Sequence, residues 1–116
     1  MARTPRTAVN AKTQPSASIA PWQVDSANGE QFAFASGLNK LIVGNTTGSP
    51  INVTVRATTG SKLVDGTSVA DKVVVCPATT GLVVINEANT ELQADGNVYV
   101  DYSATGAGIT AYLLQG

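Results

Sequence analysis

The segment Ile51-Asn-Val-Thr-Val-Arg constrains this chain more than any other. Side chains of a strand point alternately to its two faces, so Ile51, Val53 and Val55 share one face and Asn52, Thr54 and Arg56 the other. Such a segment is at rest only with its aliphatic side covered and its polar side in water. Beyond residue 28 the theme repeats in short segments parted by turn residues, the pattern of a sandwich or barrel.

Gln31-Phe-Ala-Phe places Phe32 and Phe34 on one face, and Lys40-Leu-Ile-Val-Gly is a nearly continuous apolar strand ended by Asn45-Thr-Thr-Gly-Ser-Pro. Lys72-Val-Val-Val-Cys reads as a buried strand stopped by Pro77, and Gly81-Leu-Val-Val-Ile as the next. Ala78-Thr-Thr-Gly between them predicts a hairpin. Residues 57–71 read as a long loop and a candidate contact surface, with a short edge strand near Lys62-Leu-Val. Asn89-Thr-Glu-Leu-Gln reads as a further short strand. Asp95-Gly96 then turns the chain into Asn97-Val-Tyr-Val-Asp-Tyr, and Gly106-Ala-Gly into the closing Ile109-Thr-Ala-Tyr-Leu-Leu. No stretch keeps the i, i+3, i+4, i+7 apolar spacing of a long helix. The expectation is an all-β, single-domain β-sandwich or jelly-roll-like barrel of about eight short strands.

Residues 1–21 differ from the body. They mix Pro, Ser, Thr and Ala with isolated aliphatics, and Pro5, Pro15 and Pro21 hold the backbone extended and remove donors. They read as an extended basic N-terminal arm on a β-sandwich domain spanning 22–116, with Trp22 and Val24 where the two join. Net charge is −1, but Arg3, Arg6 and Lys12 precede every acidic residue, so the chain has a basic start and an acidic body. At 116 residues there is room for one core. With one cysteine, Cys76, no internal disulfide can form and the fold relies on burial and hydrogen bonds.

The residue types also limit chemistry. Without a histidine the common triads and dyads cannot be built, and a single cysteine cannot make a cysteine-rich zinc site. Cys76, at the end of an apolar strand, reads as a small buried hydrophobe. Asp65-Gly66 and Asp95-Gly96-Asn97 carry too few carboxylates for a calcium loop and read as turns. Asn45-Thr-Thr and Asn52-Val-Thr match the glycosylation pattern by the accident of a Thr-rich sequence. No glycine loop leads into a Lys and a helix, so no nucleotide site is expected. Three dispersed cations without interleaved aromatics make few phosphate contacts, so nucleic acid is not an expected partner. No apolar run approaches the roughly 18 residues of a membrane span, and no apolar segment follows the basic start, so neither a membrane nor a secretion channel is expected. No enzyme activity, cofactor or metal is expected.

Three stretches in order carry a resemblance: Thr4-Pro-Arg-Thr; Leu41-Ile-Val-Gly-Asn followed by Ile51-Asn-Val-Thr-Val; and Ala94-Asp-Gly-Asn-Val-Tyr-Val-Asp-Tyr-Ser with its final apolar strand. Together they resemble the small capsid decoration, or cement, proteins of tailed bacteriophages. The resemblance implies a small β-sandwich or jelly roll that is made in the host cytoplasm and sits on the outer surface of the virion. There it would bind the major capsid protein, bridge neighbouring subunits and reach over them with its arm. It also implies self-association, as a homotrimer at local three-fold positions or alternatively a homodimer at two-folds. Arg3, Arg6, Lys12 and Trp22 are then the candidate partner-binding residues, since Arg and Trp are enriched where interfaces concentrate their energy. A different class of function, a carbohydrate-binding or adhesion module on a fibre or spike, would need exposed aromatics, for which Tyr99 and Tyr112 are the candidates.

Overall fold

The computed structural model describes residues 3–10, 21–35, 38–58, 66, 68–86, 91–106 and 108–115. Among them the chain is all-β, with no α-helix and ten strands. Three are two-residue pairings: β1 (Thr4–Pro5), β2 (Val9–Asn10) and β3 (Trp22–Gln23). The body is built from β4 (Glu30–Ala33), β5 (Asn39–Asn45), β6 (Ile51–Val55), β7 (Lys72–Cys76), β8 (Gly81–Asn86), β9 (Asn97–Tyr102) and β10 (Ile109–Gln115).

These form two sheets stacked as a β-sandwich. The first has the order β1-β4-β9-β6-β7; the second has β2-β10-β5-β8, with β3 pairing on β10 as well. The alternating segments supply the core as their period demands. Val53 and Val55 of β6, Val98, Val100 and Tyr102 of β9, and Leu41 and Val43 of β5 all point between the layers and are buried. Phe32 joins them, and Phe34 packs against the cluster from its margin. Cys76 is also buried there, its thiol 3.6 Å from the Val43 carbonyl, and burial pushes its pKa up.

Two expectations are corrected. Lys72–Cys76 and Gly81–Asn86 do not form a hairpin: β7 pairs with β6 in one sheet and β8 with β5 in the other. Pro77 ends β7 without a donor, Thr79 takes a left-handed conformation (φ 71°), and its amide donates to the Thr47 carbonyl. The chain thereby crosses from one layer to the next. Gly81 is required at the end of this crossing, because a Cβ there would run into the Pro77 carbonyl. Nor are β7 and β8 buried strands. Among the described residues each is the last strand of its sheet, and Val73, Val75, Leu82 and Val84 face outward, each more than half exposed. A continuous apolar run predicts cover on both faces, and a two-layer sandwich supplies cover on one.

The expected strand at Asn89–Gln93 is not seen at Glu91–Gln93, which run outside the sheets; Asn89 and Thr90 lie outside the described residues, as does the edge strand expected near Lys62–Val64. The described part of the arm is extended, and it lies along the body. Thr4 and Pro5 run parallel to Glu30 and Gln31, and Val9 and Asn10 run parallel to Leu114 and Gln115. The arm thus finishes one edge of each sheet.

Candidate functional site

On the flank where the arm lies, the centre is Glu30. It begins β4 just after the Asn28-Gly29 turn and is 1% exposed. A carboxylate taken out of water must be fully satisfied, and this one is. Arg6 donates to its Oε2 through Nε (3.1 Å) and Nη2 (2.8 Å), Trp22 Nε1 lies 3.0 Å from the same oxygen, and the Asp25 amide donates to it at 3.1 Å. The Tyr102 hydroxyl donates to Oε1 at 2.7 Å. Burial, reinforced by the adjacent carboxylate, holds the Tyr102 phenol well above its usual pKa. The Arg6 guanidinium also stacks on the Trp22 ring, 4.8 Å from its centroid.

Arg3 makes a second attachment on the outer face of the first sheet. Its guanidinium forks onto Asp101 at 2.7 and 3.3 Å, donates to the Val100 carbonyl and lies over the Tyr99 ring at 4.6 Å. Gly29 (φ 72°) makes room, since any side chain there would overlap Arg3 and Asp101. Arg56 extends the charges to Asp71, giving the row Arg3, Asp101, Arg56, Asp71. Thr4 donates to Asp25 Oδ2 at 2.6 Å, which with the Asn28 contacts lowers the Asp25 pKa.

Three of the four residues proposed from sequence as partner contacts are therefore brought together, but around internal acids. Arg3, Arg6 and Trp22 fasten residues 3–10 and the start of β3 to the sandwich. Lys12 lies outside the described residues. Of the two tyrosines considered for a glycan site, Tyr99 has one ring face under Arg3 and its hydroxyl on Asp95 at 2.6 Å. That bond raises the pKa of Tyr99 and lowers that of Asp95. Asn45, in one of the glycosylation patterns, is fully buried: its amide holds the Ser49 carbonyl and its Oδ1 accepts from Thr47.

A surface that the sequence reading did not single out is the outward face of the second sheet. Register sets Val84, Ile42 and Tyr112 side by side across β8, β5 and β10, with Leu82, Gly44 and Thr110 in the next row and Asn86, Lys40 and Leu114 in the one beyond. Leu38 is exposed at the approach to β5. The only charge in these three rows is Lys40. The signal was present in the runs at 40–44 and 81–85, which carry aliphatics at both parities where one covered face would need them at one.

Among the described residues no group of three or more Cys, Asp or Glu could hold a metal ion, and no helix is long and apolar enough to cross a membrane. A cleft of about 220 Å³ lies between the arm and the sheets, lined by Arg6, Phe32, Phe34, Asn39 and Leu113 among others. Comparison with protein-family models, with curated proteins and with solved structures gives no match.

Proposed function

We propose that this protein is a non-enzymatic virion structural protein that binds the outer surface of an assembled phage capsid and stabilises it by bridging major capsid protein subunits. The observation that carries this reading is the outward apolar face of the β8-β5-β10 sheet. Isolated exposed aliphatics need no explanation, but a contiguous patch across three strands is the mark of a surface that meets another protein. The opposite sheet presents Asn52, Thr54, Asp101 and the charged row over β9 and β6, and carries outward aliphatics, Val73 and Val75, on its last strand alone. The resemblance to decoration proteins supplies the partner.

A bridging protein needs a broad, stiff contact area rather than a cavity. Here Arg3, Arg6 and Trp22 serve that end by making the first strands part of one rigid body. Each copy that spans a subunit junction adds its binding free energy to the shell, and that energy is lost when subunits part. Many copies on one head make modest individual contacts sufficient.

The test uses heads of the encoding phage assembled without this protein. Purified chain should co-sediment with them to saturation and raise the temperature at which they release DNA. Ile42→Lys, which places a charge in the central row of the apolar face, should weaken that binding at least about tenfold while the circular dichroism spectrum is kept. Heads that take up no wild-type protein would overturn the reading.

A further inference from the structure

Every strand at the margin of a sheet offers unpaired amides and carbonyls, and proteins that remain monomeric blunt such margins with proline, charge or very short strands. Of the four margins of this sandwich, three are treated so. The first sheet starts with the two-residue β1, which contains Pro5. It ends with β7, which opens on Lys72 and stops at Pro77. In the second sheet, β10 is covered by β2 at its C-terminal end and by β3 nearer its start.

The fourth margin is β8, and its own sequence has none of these devices; Lys72 of β7 reaches only its last residue, donating to the Asn86 carbonyl at 2.8 Å. Gly81-Leu-Val-Val-Ile-Asn is six residues long and contains no proline and no charge. Among the described residues its ladder partner is β5 alone. Its outward Leu82 and Val84 are 64% and 56% exposed and continue the apolar face of the sheet.

From this we infer that β8 pairs antiparallel with β8 of a second copy of this chain, joining two sandwiches edge to edge about a two-fold axis. The charge pattern selects that occupant. In an isologous pair each residue of a strand meets residues of the same strand, so a charge anywhere in it is repeated nearby with the same sign. An uncharged strand escapes that repulsion. A register symmetric about Val83 sets Leu82 of one copy against Val84 of the other, and Val83 against itself. It keeps every outward side chain on the outward face, as the two-residue period requires. Aliphatic and β-branched neighbours across the new pair suit a pleated ladder. The second sheets of the two copies become one continuous sheet, and its outward apolar face doubles in width. The two-fold symmetry favours the homodimer over the homotrimer. The inference stands on the β8 edge and does not require a capsid.

Sedimentation velocity of the full chain over a range of concentrations tests it. The wild type should approach twice the 11.8 kDa chain mass. Val84→Lys, at an exposed position, should weaken association at least about tenfold by setting like charges together across the axis. Asn52→Lys, an equal change of charge on the outward face of β6, should leave the mass unchanged. Backbone hydrogen exchange supplies a readout that needs no variant: β8 amides of the wild type should gain protection as concentration rises. A wild type that stays monomeric, a folded Val84→Lys that stays dimeric, an Asn52→Lys that dissociates equally, or β8 protection independent of concentration would each overturn the pairing. Heads that bind a monomer would overturn this inference alone, and a dimer that binds no heads would overturn the proposed function alone.

Discussion

The two flanks of this sandwich are finished in opposite ways. On one, residues 3–10 and 22–23 cover both sheets with short pairings, and a buried carboxylate gathers a guanidinium, an indole, a phenol and a backbone amide. On the other, β7 and β8 end their sheets with Val73, Val75, Leu82 and Val84 facing outward. Both flanks contain groups that are costly to leave as they are: ions out of water on the first, aliphatics in water on the second. The first flank resolves its cost within the chain. The second does not: among the described residues these aliphatics stay uncovered.

The sealed flank is the place to break the contrast hardest. Arg6→Ala leaves Glu30 buried without its cation. Removing one member of a buried ion pair costs about 3–5 kcal/mol, and the remaining donors from Trp22, Tyr102 and Asp25 put this case near the lower figure. At this chain length that is a fall in Tm of roughly 12 °C. Calorimetry of the variant measures it. A Tm within about 2 °C of wild type would mean that the arm is not fastened through this pair.

Tyr102→Phe probes the same centre from the core side. It removes one hydrogen bond to a charged acceptor and should cost about 2 kcal/mol at pH 7. The phenol also gives the flank an alkaline limit. Its pKa is raised in the folded protein, so the neutral form is favoured by folding. That contribution is complete below the ordinary tyrosine value of about 10 and is lost as pH climbs above it, because the unfolded chain then releases a proton that the folded one retains. Urea midpoints from pH 8 to 11 should fall more steeply for the wild type than for Tyr102→Phe. Parallel slopes would detach Tyr102 from the alkaline limit.

Much of the fold is legible in the sequence where polarity alternates. Ile51–Val55 and Asn97–Tyr102 each declare a covered and a wet side, and both occupy the interior of the first sheet as their pattern requires. The runs at 72–76 and 81–86 were harder, because an aliphatic run has the same composition whether its second face meets a third layer or another molecule. The same ambiguity made Ala78–Gly81 read as a hairpin turn, since a short turn sequence does not say whether the chain returns within its own sheet or crosses to the other. The centre at Glu30 left no local trace. Its partners Arg6 and Tyr102 stand 24 and 72 residues away, and a glutamate after an Asn-Gly turn looks like any solvated one. Arg3, Arg6 and Trp22 read in the sequence as partner contacts, and the topology brings acids of the same chain within their reach.

The open flank should answer substitution with almost no change in stability, and the smallness of that effect is what makes it informative. Val75 lies in the middle of an aliphatic run, a setting where a buried valine would lose about 1–2 kcal/mol on replacement by threonine, which keeps the shape and adds a hydroxyl. Its side chain stands 56% exposed on the outward face of β7, where threonine fits a pleated ladder as well as valine does. Val75→Thr should therefore shift the unfolding free energy of the isolated chain by less than about 0.5 kcal/mol. The same substitution at fully buried Val53, on the inner face of the same sheet, should show the larger loss. Equal losses at the two sites in urea titrations would mean that the outward valines are covered within the folded chain, and the contrast between the flanks would fall. Unequal losses would show that the outward aliphatics of β7 add little to folding, as their exposure requires.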